Sequence, residues 1–239
     1  RSLSAAQTLQ QTFTADLTLL AISNPSQDLQ FSVKEVETAL STFPPGSWQL
    51  LQRHKATCTA VLAAIPDHSI LHCSCHGTAN LNDPLNSGLL MADERLTLRD
   101  LFSLKLREQN QGIRLAILSA CETSIPGLEL PDEVVSLPIG LLQTGVAGVA
   151  ASLWSVSDLS TTLLLQRFYH HWRNPDPNQR LDPPEALRQA QIWLRDTNYV
   201  NIALSLANTD PHLAQQMLLA PPQDFAHPYH WAAFAYTGV

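Results

Sequence analysis

Short apolar runs alternate with segments of helical periodicity along almost the entire chain, and this alternation constrains the fold more than any other feature. Residues 69–75, 115–119 and 146–153 are apolar runs of strand length, as is typical of strands buried on both faces. The segments between such runs place apolar residues at helical spacing, as residues 33–40 do. Because strands of this kind need helices on both faces, the sequence predicts an α/β fold with a mostly parallel sheet.

A smaller β-structure is predicted within the same fold. Residues 89–91 and 95–96 flank a short turn, and Thr97 and Asp100 follow as candidate caps of a helix. We expect this small β-hairpin to be an insertion beside the main sheet. The chain has 239 residues, enough for one large domain with a substantial core.

Charge and apolar patterning exclude two classes of partner. The 14 Lys and Arg residues against 21 Asp and Glu residues give a formal net charge of −7, so we expect no binding to nucleic acid or to an anionic membrane surface. The longest strongly apolar run, residues 146–154, is far shorter than the ~20 residues of a membrane-spanning helix. Four cysteines without a C-x-x-C pair favour a reducing, cytoplasmic location.

The first segment that carries chemistry is the predicted strand at residues 69–75. Alternation along a strand places His72, Ser74 and His76 on one face and Cys73 and Cys75 on the other. In open α/β sheets, ligands bind beyond the carboxyl ends of the strands. His76 is therefore predicted at the rim of a binding cleft, where the glycine that follows it releases the chain.

The second segment is the apolar run 115–119, which leads directly into Cys121. A thiol and an imidazole delivered by two strand ends are the parts of a cysteine nucleophile with its general base, so Cys121 and His76 form a candidate pair. Taken singly, a cysteine in such a position is more often a small buried side chain, and a histidine more often packs with a hydrogen bond.

Metal and redox interpretations of the same residues are less favourable. A zinc site built from His72, Cys73, Cys75 and His76 is disfavoured because alternate strand faces point the sulfurs away from the imidazoles. A disulfide between Cys73 and Cys75 would be strained along one strand face. We therefore expect no metal and no cofactor.

Four segments together resemble a known family. They are LHCSCHGTAN (71–80), LAILSACETS (115–124), GVAGVAASLWSVSD (145–158) and HPYHWAAFAYTGV (227–239), and they look like the CHAT domain, the caspase-like module of the caspase, metacaspase and separase clan. The resemblance covers nearly all of residues 1–239 and implies a single peptidase domain with a caspase–haemoglobinase-like sheet. It also implies His76 as base, Cys121 as nucleophile, and the backbone N–H groups of Gly77 and Cys121 as oxyanion donors.

The resemblance carries two further implications. Members of the family often follow tetratricopeptide repeats, so we expect such a region upstream in the same chain and a regulatory or signalling role. The family often has glycine where this chain has Ser124, a difference that concerns the loop after Cys121 rather than the pair itself.

A substrate pocket is predicted after the run 146–153. SLWSVSD resembles the segment in separases where an acidic residue faces a basic P1 side chain, which makes Asp158 the candidate for binding arginine. The alternative is that Asp158, or Ser157, caps the following helix. Trp154 either closes the core or forms a wall of the cleft, and Ser155 is expected to lie alongside the substrate.

Two functions follow from these residues. The first is a cysteine endopeptidase that cleaves protein substrates after a basic residue, with arginine preferred. The alternative is a catalytically silent caspase-like module that binds proteins. Such modules commonly lack one member of the pair, whereas His76 and Cys121 are both present.

Overall fold

A central six-stranded sheet organises the computed structural model, which describes residues 17–78, 80, 82–106, 112–119, 136–155 and 157–239. Its strands lie in the order β2-β1-β3-β7-β8-β9, and all neighbours are parallel except β9, which is antiparallel to β8. The strands are β1 (Leu19–Ser23), β2 (Trp48–Gln52), β3 (Ile70–Ser74), β7 (Leu115–Ser119), β8 (Gly148–Ser152) and β9 (Phe234–Gly238). The predicted mostly parallel α/β sheet is confirmed.

A separate three-stranded antiparallel sheet follows β3. It consists of β4 (Gly77–Thr78), β5 (Gly88–Leu90) and β6 (Arg95–Thr97). The sequence predicted only the hairpin of β5 and β6, and the extra strand is the short segment that begins directly after His76. A Cβ on Gly88 would lie 2.1 Å from the carbonyl oxygen of Leu96, so only glycine allows β5 and β6 to approach this closely.

Helices cover both faces of the large sheet. They are α1 (Ser32–Ser41), α2 (Cys58–Ala64), α3 (Leu98–Ser103), α4 (Leu137–Thr144), α5 (Asp158–Trp172), α6 (Pro183–Asp196), α7 (Tyr199–Ser205), α8 (Pro211–Leu219) and α9 (Pro228–Trp231). One core joins the sheet to α1, α5, α6, α7 and α8, and the other joins it to α2, α3 and α4. Successive strand residues alternate between these two cores, which is why the strands read as continuous apolar runs.

Several helix boundaries differ from the sequence expectation for local reasons. The stretch 202–219, which reads as one helix, is two helices because Asp210 caps α8 and Pro211 opens its first turn. Helix α4 begins at Leu137, with Ser136 at its N-cap position. Asp132 and Glu133, which precede this helix in the sequence and would suit its N-terminal cap, lie outside the described residues. In the described part of the chain, no helix is long and apolar enough to span a membrane.

Candidate active site

The carboxyl ends of β3 and β7 lie side by side at the centre of the sheet. The register pairs Ser74 with Ser119, and His76 and Cys121 each follow two positions later in the sequence. Parallel neighbours end at the same edge of a sheet. The two strands thus lead His76 and the chain that continues to Cys121 toward one place, although Cys121 itself lies outside the described residues.

His76 is anchored by a carboxylate that the sequence did not single out. Its Nε2 lies 3.0 Å from Oδ1 and 3.1 Å from Oδ2 of Asp28, and about a third of its side chain is exposed. A hydrogen bond from Ser26 and the contact with His76 lower the pKa of Asp28, so this carboxyl stays ionised at neutral pH. Because the ionised carboxylate of Asp28 accepts a hydrogen bond at Nε2, it favours the tautomer of His76 in which Nε2 carries the proton.

The loop that carries Asp28 is fixed to the end of β3. Asn24 adopts a left-handed conformation with φ of 48°, and its backbone N–H donates to the carbonyl of Ser74. Its side chain exchanges two hydrogen bonds with the backbone of Leu29, one donated to the carbonyl and one accepted from the N–H. Asparagine tolerates this backbone conformation better than most residues. The loop therefore presents Asp28 to His76 from a braced position.

Gly77 follows His76 and opens β4. Leu90 donates its N–H to the carbonyl of His76 at 2.8 Å, which makes Gly77 and Leu89 a non-hydrogen-bonded pair of the antiparallel ladder. The N–H of Gly77 consequently points away from β5. This orientation is compatible with the predicted oxyanion role of Gly77.

A pocket opens beside these strand ends. Two acidic residues, Glu35 and Asp158, contribute to its lining, and apolar lining comes from Leu29, Phe31 and Phe234. Hydroxyl-bearing residues from five elements add to the polar lining: Ser32, Ser74, Ser119, Ser152 and Thr161. Two carboxyl groups in a partly apolar pocket suit a cationic side chain.

Asp158, the predicted pocket residue, is the first residue of α5. The N-cap is Ser157, whose hydroxyl accepts from the N–H of Ser160, so Asp158 is not the cap. Instead, its carboxyl group lies near the backbone of Gln30 and Phe31 in the loop that carries Asp28, and these backbone groups act to lower its pKa. Although Asp158 as a residue is exposed, partial burial of its carboxyl raises its pKa, against the opposing effect of the nearby His76.

Glu35 is a second acidic residue that the sequence analysis missed. Its Oε1 lies 2.7 Å from Nε2 of His72, and its Oε2 accepts a 2.9 Å hydrogen bond from the hydroxyl of Ser119. His72 is fully buried, and its Nδ1 lies 2.7 Å from the hydroxyl of Tyr169. The available signal was a charged residue within the buried stripe of α1, which Val36 and Ala39 otherwise fill.

The remaining predicted site residues lie around the end of β8. Trp154 is half-buried against the core, and its indole N–H donates to the carbonyl of Tyr229 at 3.1 Å. Ser155 is exposed in the turn between β8 and α5. Neither residue belongs to the lining of the pocket described above.

The three described cysteines are buried and unlike a nucleophile. Cys73 and Cys75 belong to the core with α2, α3 and α4, whereas His72 contacts Glu35 and Tyr169 on the other face of β3, as the strand alternation predicts. Cys75 also contributes to the lining of the pocket. Contact with Cys75 and burial raise the pKa of Cys73, and burial with nearby carboxylates raises that of Cys58 to about 12. Among the described residues, no group of three or more His, Cys, Asp or Glu is arranged to hold a metal ion.

Solved structures with similar folds include two peptidases. The chain matches a separase from Saccharomyces cerevisiae, solved with securin, with a TM-score of 0.65 and 13% identity over all of this chain and 13% of that one. It also matches RgpB of Porphyromonas gingivalis, solved as pro- and mature domains, with a TM-score of 0.53 and 12% identity over 99% of this chain and 52% of that one. A second RgpB structure, described as the Arg-specific cysteine proteinase gingipain R, matches equally well. No curated protein matches the chain in sequence.

The parallel sheet, its flanking helices and these neighbours define a caspase-like cysteine peptidase fold. Within that class the family is also established. The sequence model of the CHAT domain family matches residues 1–239, and the chain belongs to that family. It spans 13% of the separase chain and about half of the gingipain chains.

Proposed function

We propose that the chain is a cysteine endopeptidase in which His76 is the general base and Cys121 the nucleophile. The observation that carries this proposal is the hydrogen bond of His76 to Asp28 at the edge of the sheet where β7 also ends. An imidazole that is fixed at one nitrogen and partly exposed has its other nitrogen available for proton transfer.

The hydrogen bond to Asp28 assigns separate roles to the two ring nitrogens. With the proton on Nε2 and bonded to the carboxylate, Nδ1 of His76 is the unprotonated base. In this proposal Nδ1 removes the proton of the Cys121 thiol. Asp28 then stabilises the imidazolium that forms, as the carboxylate does in a serine protease triad.

The reaction proceeds through a covalent acyl-enzyme. The Cys121 thiolate attacks the scissile carbonyl, and the N–H groups of Gly77 and Cys121 stabilise the tetrahedral oxyanion. Collapse of this intermediate breaks the C–N bond, and the imidazolium of His76 gives its proton to the departing amine. Water, deprotonated by His76, then hydrolyses the thioester and restores the free thiol.

The pocket supports a preference for arginine at P1. Asp158 contributes an acidic group, while Phe31 and Phe234 offer apolar surface for the stem of a long side chain. A planar guanidinium can bond a carboxylate through two parallel N–H groups, which lysine cannot do. The Arg-specific gingipain R among the structural neighbours is consistent with this choice.

A positional library of fluorogenic peptides tests the proposal. We expect cleavage after arginine by the unaltered protein and none by Cys121→Ala or His76→Ala, because the two residues act as one unit. Asp28→Asn should reduce kcat by roughly tenfold to a hundredfold by weakening control of the tautomer. His54→Ala and Asp67→Asn, which alter exposed residues away from the pocket, are the matched controls.

The alternative of a silent protein-binding module makes the opposite prediction. It expects no cleavage of any library member and no difference between the unaltered protein and Cys121→Ala. Full activity in either Cys121→Ala or His76→Ala would overturn the proposed pair. A library profile that prefers an acidic or apolar P1 residue would overturn the arginine pocket and leave the pair intact.

A further inference from the structure

The first turn of α1 lies against the carboxyl ends of three neighbouring strands. The hydroxyl of Ser32 lies 3.3 Å from that of Ser23 at the end of β1, and it donates to the carbonyl of Ser74 at the end of β3. One turn further along, Glu35 contacts His72 of β3 and Ser119 of β7. We call Glu35, His72 and Ser119 the Glu35 clamp, since one carboxylate joins side chains of two adjacent strands.

The hydrogen bonds of the clamp have a consistent set of donors and acceptors. Burial and the nearby Glu35 raise the pKa of Tyr169 well above its usual value, so its hydroxyl keeps its proton. Tyr169 can then donate to Nδ1 of His72, whose Nε2–H donates to Glu35. Ser119 is the second donor to the carboxylate. Glu35 thus accepts from both strands, and each buried polar side chain of the group has a partner, as such groups require.

The clamp acts at the end of the described part of β7. The pairing of β7 with β3 extends to Ser119, and the hydroxyl of this same residue donates to Glu35. Side-chain contact with Glu35 therefore adds to the backbone pairing that holds Ser119 beside β3. Beyond Ser119 the chain continues through one residue to Cys121.

We propose that Glu35 is a positioning residue that fixes the end of β7 relative to β3, and thereby the spacing between Cys121 and His76. This inference rests on the proposed function. It assigns Glu35 a role through Ser119 rather than through contact with the reacting atoms. Misplacement of reacting groups by about 1 Å can cost on the order of a hundredfold in rate, so a side-chain bridge at this point has a measurable effect on turnover.

Direct contact of Glu35 with substrate is the competing explanation, because Glu35 also lines the pocket. Both of its oxygens already accept hydrogen bonds from protein donors, which favours the positioning role. The two explanations differ in the kinetic constant that they change. Loss of positioning lowers kcat, whereas loss of a contact made equally in ground and transition states raises KM.

Ser119→Ala is the most direct test because it cuts the bridge to β7 and leaves Glu35 paired with His72. We expect kcat for a P1-arginine peptide to fall ~10-fold with KM unchanged within about twofold. Ser119→Thr, which keeps a hydroxyl, should restore most of the lost turnover. Glu35→Gln keeps an oxygen that accepts from His72 and gains an amide N–H that can donate to the hydroxyl of Ser119. Its kcat should therefore fall less than that of Ser119→Ala. Glu37→Gln, on the exposed face of the same helix, is the matched control.

Two results would overturn the positioning role. A rise in KM confined to arginine peptides in Glu35→Gln, with kcat retained, would assign Glu35 to substrate binding. Unchanged kcat and KM in Ser119→Ala, with only a lower melting temperature, would assign the clamp to stability alone.

Alkylation of Cys121 separates failure of this inference from failure of the proposed function. Cys58, Cys73 and Cys75 are buried, and the rate at Cys121 can be followed by mass mapping of peptides after iodoacetamide treatment. We expect the midpoint of its pH dependence to be higher in Ser119→Ala than in the unaltered protein, since a displaced thiol loses its pairing with His76. If the midpoint shifts but no peptide is cleaved, the positioning role of Glu35 is supported and the proposed peptidase function is contradicted. Equal midpoints would overturn the clamp whether or not peptides are cleaved.

Discussion

Asp28 and Asp158 both influence the surroundings of His76, but their carboxyl groups are in opposite electrostatic situations. Contacts with Ser26 and His76 lower the pKa of Asp28, so its negative charge is stabilised by neighbours within the protein. Burial raises the pKa of Asp158, and the charge of Asp28 adds to this increase. A cation placed in the pocket would therefore relieve an unfavourable charge at Asp158, whereas Asp28 already has its partner.

Asp158→Asn tests this difference at the scale of one residue. We expect the variant to lose most activity on P1-arginine peptides, because a neutral amide cannot pair with the guanidinium. Its melting temperature at pH 7 should be equal or higher. The raised pKa means that ionisation of Asp158 opposes folding at that pH, and the neutral amide of Asn carries no charge to be buried.

Peptide kinetics and a thermal melt of the same preparation measure both effects. Asp67→Asn, an exposed residue away from the pocket, serves as the control. Unchanged selectivity for arginine in Asp158→Asn would show that this carboxyl group does not bind the P1 side chain.

At the scale of secondary structure elements, α3 and α4 pack so closely that one position requires glycine. A Cβ on Gly140 would lie 2.5 Å from Cδ1 and 2.6 Å from Cδ2 of Leu98, a fully buried residue. We expect Gly140→Ala to lower the free energy of unfolding by about 1–3 kcal/mol, the usual cost of overpacking a core. Urea denaturation followed by circular dichroism measures this change.

A second substitution shows whether the cost arises at that contact. Leu98→Val alone should also destabilise the protein, since it removes a buried methylene group. Combined with Gly140→Ala, it should cost less than the two single changes added together, because the shorter side chain makes room for the new methyl. If the losses of stability in the two single variants are strictly additive in the double variant, the cost of Gly140→Ala does not arise at the contact with Leu98.

The elements also show how far sequence reasoning reaches. Strand β7 spans the expected residues 115–119 and helix α5 begins after one of its two expected caps, because an apolar run and a hydroxyl cap are local signals. Asp28 and Glu35 gave no comparable signal, since their partners lie 48 and 37 residues away in the chain. His76 was predictable from its place after a strand, whereas the carboxylate that anchors it depends on how a distant loop folds back.

At the scale of the whole molecule, carboxyl groups with lowered pKa values predict loss of stability in acid. Hydrogen bonds from Arg188 and Gln189 lower the pKa of Glu185 to about 2. The pKa values of Asp28, Asp93 and Asp196 are also lowered. A lowered pKa in the folded state contributes stability above the unfolded-state value, and this contribution disappears as the pH falls through the folded-state value. Asp158, whose pKa is raised, acts in the opposite direction.

We therefore expect the free energy of unfolding to fall between pH 5 and pH 2, an interval set by ordinary carboxyl pKa values near ~4 and by the lowered value of Glu185. Urea titrations at several pH values measure this dependence. Glu185→Gln should lose less stability over that interval than the unaltered protein. An equal loss would show that the ion pair with Arg188 contributes nothing in solution, as is common for exposed pairs.

The position of β1 in the large sheet has a consequence for the order of events during synthesis. Strand β1 lies between β2 and β3, so the sheet portion that holds Asp28 and His76 is complete once the chain has been made through β3. The pocket residue Asp158 belongs to a later part of the chain, which joins through β7 and β8. A chain halted between β3 and β7 thus contains His76 and Asp28 but lacks Asp158, so the imidazole and its carboxylate partner are made before the pocket is complete.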